Sequence, residues 1–140
     1  GLRAEQGPLA VAVPGAVAGL CGAHEAWGEL PLAQVLEPAI AAAEAGVPVT
    51  WDLLLALAPR LDDIAGLPHA AAFLLRSGRL PAIAAQHAAA DRLDCSDLAA
   101  TLRRIAQDGA AGFYEGPVAE AIEQEVTANG GILTPADLAS

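Results

Sequence analysis

Two residue types that bind metals or carry protons stand side by side in His24-Glu25-Ala26-Trp27-Gly28. A histidine followed by a glutamate opens the zinc-protease motif, in which a second histidine four residues after the first completes the metal site. Position 28 is a glycine, so that ligand is missing. The other two histidines, His69 and His87, are too distant in sequence to share a helical turn with His24 or with each other. We therefore expect hydrogen-bonded or surface histidines and no metal site.

A cysteine and a histidine could instead form a nucleophilic pair. Cys21 precedes His24 by one helical turn, a spacing that places both side chains on one helix face. Such a thiol becomes reactive when nearby positive charge lowers its pKa. No arginine or lysine stands near Cys21 in the sequence, and we predict that it is buried in the core. Cys95 is far from it along the chain, which favours two free thiols over a disulfide.

The sequence gives equally weak support for a phosphate-binding site and for catalytic carboxylates. Glycines are frequent from Gly15 to Gly22, but the stretch lacks the GxGxxG spacing, and the chain has no lysine to complete a P-loop. Acidic residues cluster at Asp62-Asp63 and at Glu120, Glu123 and Glu125, each time on the polar side of a predicted amphipathic helix. A solvated surface explains them better than acid–base catalysis. From the residue chemistry alone we assign no catalytic, cofactor-binding or metal-binding residue.

The composition predicts a mainly helical chain. Of 140 residues, 54% are hydrophobic but only 4% are aromatic and none is methionine, so alanine, leucine, valine and isoleucine must form the core. Seven arginines face 17 acidic residues, and the resulting net charge of -10 argues against a nucleic-acid partner. Proline, glycine or a charge interrupts every apolar run before the roughly 20 residues that a membrane helix needs, so we expect no membrane segment.

In the first half of the chain, we expect residues 1–13 to be irregular or extended, with a short strand over Ala10–Val13 at most. Proline and glycine then mark the helix ends. The first helix should begin with Pro14 in its first turn and end near Trp27-Gly28. The second should run from Leu32 to a glycine cap at Gly46, with Pro38 splitting it into two pieces.

In the rest of the chain, we predict further helices from capping residues and apolar periodicity. A helix should follow an N-cap at Thr50 and break at Pro59, and a short helix around Ala70–Leu75 should precede a turn at Ser77-Gly78. The next helix should run from an N-cap at Ser96 to Gly109, with Arg103-Arg104 complementing its C-terminal end. Another should have Pro117 in its first turn and end at Asn129-Gly130-Gly131, and Thr134 should cap a last helix.

Six stretches, taken in order, resemble the heavy subunit of the gamma-glutamyltransferases, also called gamma-glutamyltranspeptidases or glutathione hydrolases. They are Val13-Pro14-Gly15-x-Val17-Ala18-Gly19-Leu20, Trp27-Gly28-x-Leu30-Pro31, Pro38-Ala39-Ile40-x-x-Ala43-x-x-Gly46-Val47-Pro48-Val49, Leu98-Ala99-x-Thr101-Leu102-x-x-Ile105-Ala106-x-x-Gly109, Phe113-Tyr114-x-Gly116-x-x-Ala119 and Gly130-Gly131-x-Leu133-Thr134-x-x-Asp137-Leu138. Their order and spacing, rather than any one stretch, make the resemblance specific. Residues 59–92 match poorly, and their fold stays open.

The resemblance implies an N-terminal nucleophile hydrolase with an αββα core and no cofactor. In that family a threonine freed by self-cleavage attacks the gamma-glutamyl carbonyl, and the acyl-enzyme passes the glutamyl group to water or an amine. Thr50, Thr101, Thr127 and Thr134 all lie inside this chain and carry no free α-amine, so the nucleophile is absent. The family's carboxylate-binding arginine precedes the Val-Pro-Gly stretch, but Arg3 stands in the wrong context and is not assigned that role.

Residues 1–140 are therefore expected to be a single helical segment of the heavy subunit, an incomplete domain whose two ends look cut, and to be inactive alone. Its expected partner is the remainder of its own polypeptide, with the light subunit that carries the nucleophile. Apolar surface that lacks this neighbour can drive self-association. The resemblance suggests a periplasmic or secreted enzyme and leaves a cytoplasmic location open.

Two alternatives stand beside this interpretation. The first is a free-standing, non-catalytic helical interaction module. The second is a segment of a related acylase with a different substrate, such as a beta-lactam side-chain acylase or a poly-gamma-glutamate enzyme.

Overall fold

The computed structural model describes residues 7–85 and 88–139, and in these ranges the chain is mainly helical. The mainly α fold predicted from the sequence is confirmed. The α-helices are α1 (Ala16–Trp27), α2 (Leu32–Ala45), α3 (Trp51–Leu57), α4 (Leu61–Ala65), α5 (Pro68–Leu74), α6 (Ser96–Asp108), α7 (Ala111–Tyr114), α8 (Gly116–Ala128) and α9 (Pro135–Leu138). Short 3-10 helices span Pro8–Ala10 and Ala58–Arg60, and two short strands are β1 (Val47–Pro48) and β2 (Arg92–Leu93). None of the described helices has both the length and the hydropathy needed to cross a bilayer.

The chain divides into two compact units. The first unit comprises Gly1–Ile40 and Ala100–Ser140, and the second comprises Ala41–Ala99. Helices α2 and α6 each continue across a boundary between the units.

The first unit has its core where α8 and α9 meet. Ala119, Leu133 and Leu138 are buried there, and Tyr114, Ile122 and Val126 pack against them. Ile122 and Val126 belong to the apolar stripe predicted for this helix. The predicted start at Pro117 and stop at Asn129-Gly130-Gly131 are confirmed, since α8 begins one residue before the proline and ends at Ala128.

The chain before α1 differs from the prediction. The strand expected over Ala10–Val13 does not form, because Ala10 ends a 3-10 helix and the next three residues pair with no strand in the described part of the chain. Val11 and Val13 are each about half exposed, and no strand among residues 7–85 and 88–139 covers them. Pro14 also lies outside the helix, which begins at Ala16 with Gly15 as its N-cap.

The second unit packs α3, α4 and α5 around buried Leu57, Ile64 and Leu75. Thr50 caps α3 as predicted, since its hydroxyl accepts a hydrogen bond from the Leu53 N–H at 3.4 Å. The break at Pro59 is also confirmed, as the chain passes through a 3-10 turn between α3 and α4. The predicted turn at Ser77-Gly78 has both residues at positive φ, 51° and 76°, which suits a tight hairpin turn.

Strands β1 and β2 pair antiparallel in this unit, with Val47 opposite Leu93. Gly46 ends α2 as predicted, at φ 71°, and a Cβ there would lie 2.7 Å from the Leu93 carbonyl oxygen. Arg92 then caps α2 from β2, because its guanidinium donates to the carbonyls of Ala45 and Gly46, each at 2.7 Å.

Pro38 does not split α2, contrary to the prediction. The helix runs unbroken from Leu32 to Ala45 with Pro38 inside it. A proline removes one backbone donor, and the hydrogen bonds on either side can still hold the helix together.

Helix α6 begins at Ser96, so the residue predicted as its N-cap is the first residue of the helix. The carboxylate of Asp94 accepts the Ser96 N–H, a donor without a partner inside the helix, at 2.9 Å. This interaction lowers the pKa of Asp94, mainly through the hydrogen bond to the Ser96 backbone. The predicted stop at Gly109 is confirmed, since α6 ends at Asp108 and Gly109 has φ 62°.

Candidate functional site

A cleft of about 450 Å³ lies within the first unit, between the start of α1, helix α7 and helix α9. Its volume falls in the range of small-ligand sites. Its walls are mostly apolar and include Val13, Pro14, Gly15, Ala18, Ala110, Ala111, Tyr114, Glu115, Asp137, Leu138 and Ala139. The residues with hydrogen-bonding side chains on these walls are Tyr114, Glu115 and Asp137.

Tyr114 holds two elements of the cleft together. Its hydroxyl donates to the Pro14 carbonyl at 2.5 Å and accepts the Ala18 N–H at 3.1 Å. Ala18 lies in the first turn of α1, where backbone N–H groups have no partner within the helix. The N-cap residue Gly15 has no side chain to satisfy them, so the tyrosine hydroxyl acts as the cap from the far side of the cleft.

The neighbouring ring helps to fix Tyr114. Phe113 meets it edge to face, with ring centroids 5.0 Å apart and an interplanar angle of 74°. Phe113-Tyr114 was part of the family resemblance, but reasoning from the sequence assigned neither residue a role. The missing side-chain cap at Gly15 was the available signal, although it does not identify its distant partner.

Thr134 and Asp137 form a capping box at the edge of the cleft. The Asp137 carboxylate accepts the Thr134 N–H at 2.8 Å and the Thr134 hydroxyl at 2.6 Å, while the Asp137 N–H donates to that hydroxyl at 3.3 Å. The predicted Thr134 cap is thus confirmed. These donors, the Thr134 hydroxyl first, lower the pKa of Asp137, which favours its charged form.

The surroundings of Cys21 and His24 indicate structural roles for both residues. Cys21 is buried, with 5% of its surface exposed, and burial followed by the nearby charge of Glu25 raises its pKa. A raised pKa keeps the thiol protonated, the opposite of what a nucleophile needs. Nε2 of His24 donates to the Leu30 carbonyl at 2.8 Å and so holds the turn after α1.

A steric constraint explains the glycine at position 28, where the zinc motif would require a histidine. A Cβ at Gly28 would lie 2.5 Å from the His24 carbonyl oxygen, so the second histidine of that motif could not stand here without moving the backbone. Among residues 7–85 and 88–139, no three His, Cys, Asp or Glu side chains come together as a metal site would require. His69 lies on α5, whereas His87 and Arg3 fall outside the described residues.

The other candidates are dispersed. Asp62, Asp63, Glu120 and Glu125 are exposed and Glu123 is half-buried, in line with the predicted solvated faces. Thr50 and Thr134 cap helices, whereas Thr101 and Thr127 lie within α6 and α8. Cys95 is buried in the second unit, and both cysteines are free.

Comparison with known proteins defines the class to which this helical chain belongs. The sequence model of the gamma-glutamyltranspeptidase family matches residues 2–140, so the chain belongs to that family, a group of N-terminal nucleophile hydrolases. The crystal structure of gamma-glutamyltranspeptidase from Helicobacter pylori is similar over 99% of this chain and 38% of that chain, with a TM-score of 0.86 and 35% identity.

Two curated relatives are informative because their names differ. The acylase ACY 1 proenzyme of Pseudomonas sp. (strain SE83) is 42% identical over 136 residues, which is 96% of this chain and 23% of that protein. The glutathione hydrolase proenzyme of Pseudomonas sp. (strain A14) is 35% identical over 133 residues, 94% of this chain and 22% of that protein. The chain therefore spans less than a quarter of the length of these relatives.

Proposed function

We propose that this chain is the helical support of an enzyme that transfers or hydrolyses the gamma-glutamyl group of glutathione-like compounds. The observation that carries the proposal is the family match over residues 2–140. In this proposal the nucleophile is an N-terminal threonine outside residues 1–140, and the partner of the chain is the remainder of its own polypeptide. Residues 1–140 themselves contain no catalytic, cofactor-binding or metal-binding residue.

The proposed reaction is acyl transfer in two steps. The threonine hydroxyl adds to the gamma-glutamyl carbonyl, its proton passes to the threonine's own α-amine, and the substrate amine leaves with a proton to give an ester on the enzyme. Water or a second amine then attacks the ester, releasing glutamate or a new gamma-glutamyl amide and restoring the hydroxyl.

The surroundings of the side chains in this segment support its inactivity. The thiol of Cys21 is buried and has a raised pKa, so it is a poor acyl acceptor. The Thr134 hydroxyl is engaged with Asp137 in the capping box. None of the four threonines has a free α-amine in this chain.

An acylase with a different acyl group is the second candidate. It is favoured by one observation, the 42% identity to an acylase against 35% to a glutathione hydrolase. The two candidates differ in whether the substrate must carry the α-ammonium and α-carboxylate of glutamate.

The test is an amide-cleavage assay on the complete product of the gene and on residues 1–140 alone. We expect the complete product to cleave a gamma-glutamyl anilide much faster than the matched glutaryl anilide, which lacks only the α-ammonium group. Faster cleavage of the glutaryl anilide would favour the acylase. Turnover by purified residues 1–140, or none by the complete product with either anilide, would contradict the proposal.

A further inference from the structure

One face of α1 exposes large apolar side chains. Leu20 is 72% exposed and Trp27 is 82% exposed. They are seven residues apart, which is about two helical turns, so both lie on the same side of the helix. Ala16, Gly19 and Ala23 fall on this side as well, and we call these five residues the α1 face.

The α1 face is shaped for close approach. A Cβ placed on Gly19 would have no described atom within 4 Å beyond its own helix and chain neighbours. A glycine inside a helix lowers the stability of that helix relative to alanine. No contact among the described residues compensates for this loss of stability at Gly19. The absence of a side chain there would, however, let another backbone pass close to the helix.

The α1 face is also uncharged. Glu25, the acidic residue of α1, lies about 140° around the helix from Leu20. His24 borders the face about 40° from Leu20, and its Nε2 is bonded to the Leu30 carbonyl at 2.8 Å. A charged or strongly polar partner would find no counterpart on this face. The chemistry that fits it is an apolar, uncharged protein surface.

Two occupants match that chemistry, a second copy of this chain and additional polypeptide of the same protein. The net charge of -10 makes two copies repel each other and disfavours the first. The second is favoured by length, because residues 1–140 correspond to only 38% of the Helicobacter pylori chain that they resemble.

We propose that, in the complete gene product, the α1 face is covered by an apolar surface of the polypeptide outside residues 1–140. The inference rests on the proposed function in so far as that function assigns the chain to a longer enzyme. It adds the surface of residues 1–140 on which the remaining polypeptide docks.

Hydroxyl-radical footprinting read by mass spectrometry tests the inference. Leu20 and Trp27 should be oxidised rapidly in residues 1–140 and several-fold more slowly in the complete gene product. Equal oxidation rates in the two proteins would overturn the inference. Protection within residues 1–140 that grows with protein concentration would identify a second copy as the occupant and would overturn it too.

One double variant, Leu20→Ala with Trp27→Ala, provides a matched control because it can be made in both proteins. Both side chains are largely exposed in residues 1–140, so the thermal midpoint of that chain should not change. The midpoint of the complete product should fall by several degrees. An unchanged midpoint in the complete product would contradict the docking.

The two proposals fail in different ways. A complete product that cleaves the glutamyl anilide while Trp27 remains fully oxidisable overturns the docking alone. A complete product that protects Trp27 but cleaves neither anilide overturns the function alone.

Discussion

The Tyr114 hydroxyl caps a helix that is distant in sequence, whereas helices are usually capped by a serine or threonine at their own first residues. The hydroxyl joins the Pro14 carbonyl to the Ala18 N–H, two groups that α1 cannot pair internally. Thr134 caps α9 from the usual N-cap position. At the residue scale, the hydroxyl groups of Thr50, Thr134 and Tyr114 pair with backbone groups at the starts of helices.

Replacing Tyr114 with phenylalanine tests this cap. The ring and its contact with Phe113 are kept, while one donor and one acceptor lose their partner. We expect the free energy of unfolding in urea to fall by about 1–2 kcal/mol. Thr127→Ala removes an exposed hydroxyl late in α8 and, as the control, should change it by less than about 0.5 kcal/mol. Equal midpoints for the two variants would show that the Tyr114 bonds are not stabilising.

Asp137 makes the stability of the first unit sensitive to acid. Its pKa in the folded protein is below the ordinary value of 3.8, so the capping box stabilises the fold fully at pH values above 3.8. That contribution is lost as the pH falls from 3.8 through the lower folded-state pKa. Urea midpoints measured from about pH 6 to about pH 2 should therefore fall less steeply for Asp137→Asn than for the wild type. Parallel curves would refute the assignment.

At the element scale, glycine has two opposite roles in this chain. Gly22 lies in the interior of α1 and faces open space among the described residues, whereas a Cβ on Gly112 would overlap the Arg104 carbonyl at the end of α6. The first glycine weakens its helix, and the second allows α6 and α7 to meet. Residue type alone does not distinguish the two, because the difference depends on what lies next to each Cα.

Alanine substitutions separate the two roles. Gly22→Ala should raise the free energy of unfolding by roughly 0.5–1 kcal/mol, because alanine loses less backbone entropy in a helix. Gly112→Ala should lower it by about 1–3 kcal/mol, since the backbone must shift to admit a methyl group. Thermal or urea unfolding of both variants against the wild type provides the measurement. A stabilising Gly112→Ala substitution would contradict the close approach.

At the scale of the whole molecule, two compact units share two helices. Helix α2 crosses from one unit to the other at Ile40 and Ala41, and α6 crosses at Ala99 and Ala100. The first unit holds residues 32–40 of α2 and 100–108 of α6, and the second holds residues 41–45 and 96–99, so loss of either unit shortens both helices. Short isolated helices are marginal in water, so we expect unfolding of one unit to destabilise the other.

The two free cysteines report on this coupling. Cys21 belongs to the first unit and Cys95 to the second, and both are buried. We expect both thiols to be protected from a thiol reagent in the native protein and to become reactive at the same urea concentration. The Cys21→Ala and Cys95→Ala variants assign the signal to each unit. Separate transitions would indicate independent units, and a missing thiol in full denaturant would indicate a disulfide.

The sequence by itself determined several helix ends and the family. Thr50, Gly109, Pro117 and Thr134 act within a few residues of their own positions, so local chemistry is enough to predict them. The order of six short stretches was enough to indicate the gamma-glutamyltranspeptidase family, which the match over residues 2–140 confirms.

Only the tertiary structure decided the contacts between distant residues. The bond from Ala18 to Tyr114 spans 96 residues, and the capping of α2 by Arg92 spans 47. Pro14 lies outside α1 and its carbonyl accepts the Tyr114 hydroxyl, although its type favours a first helical turn. Local propensities differ by about 1 kcal/mol or less for most residues, so a few distant hydrogen bonds and packed side chains can override them.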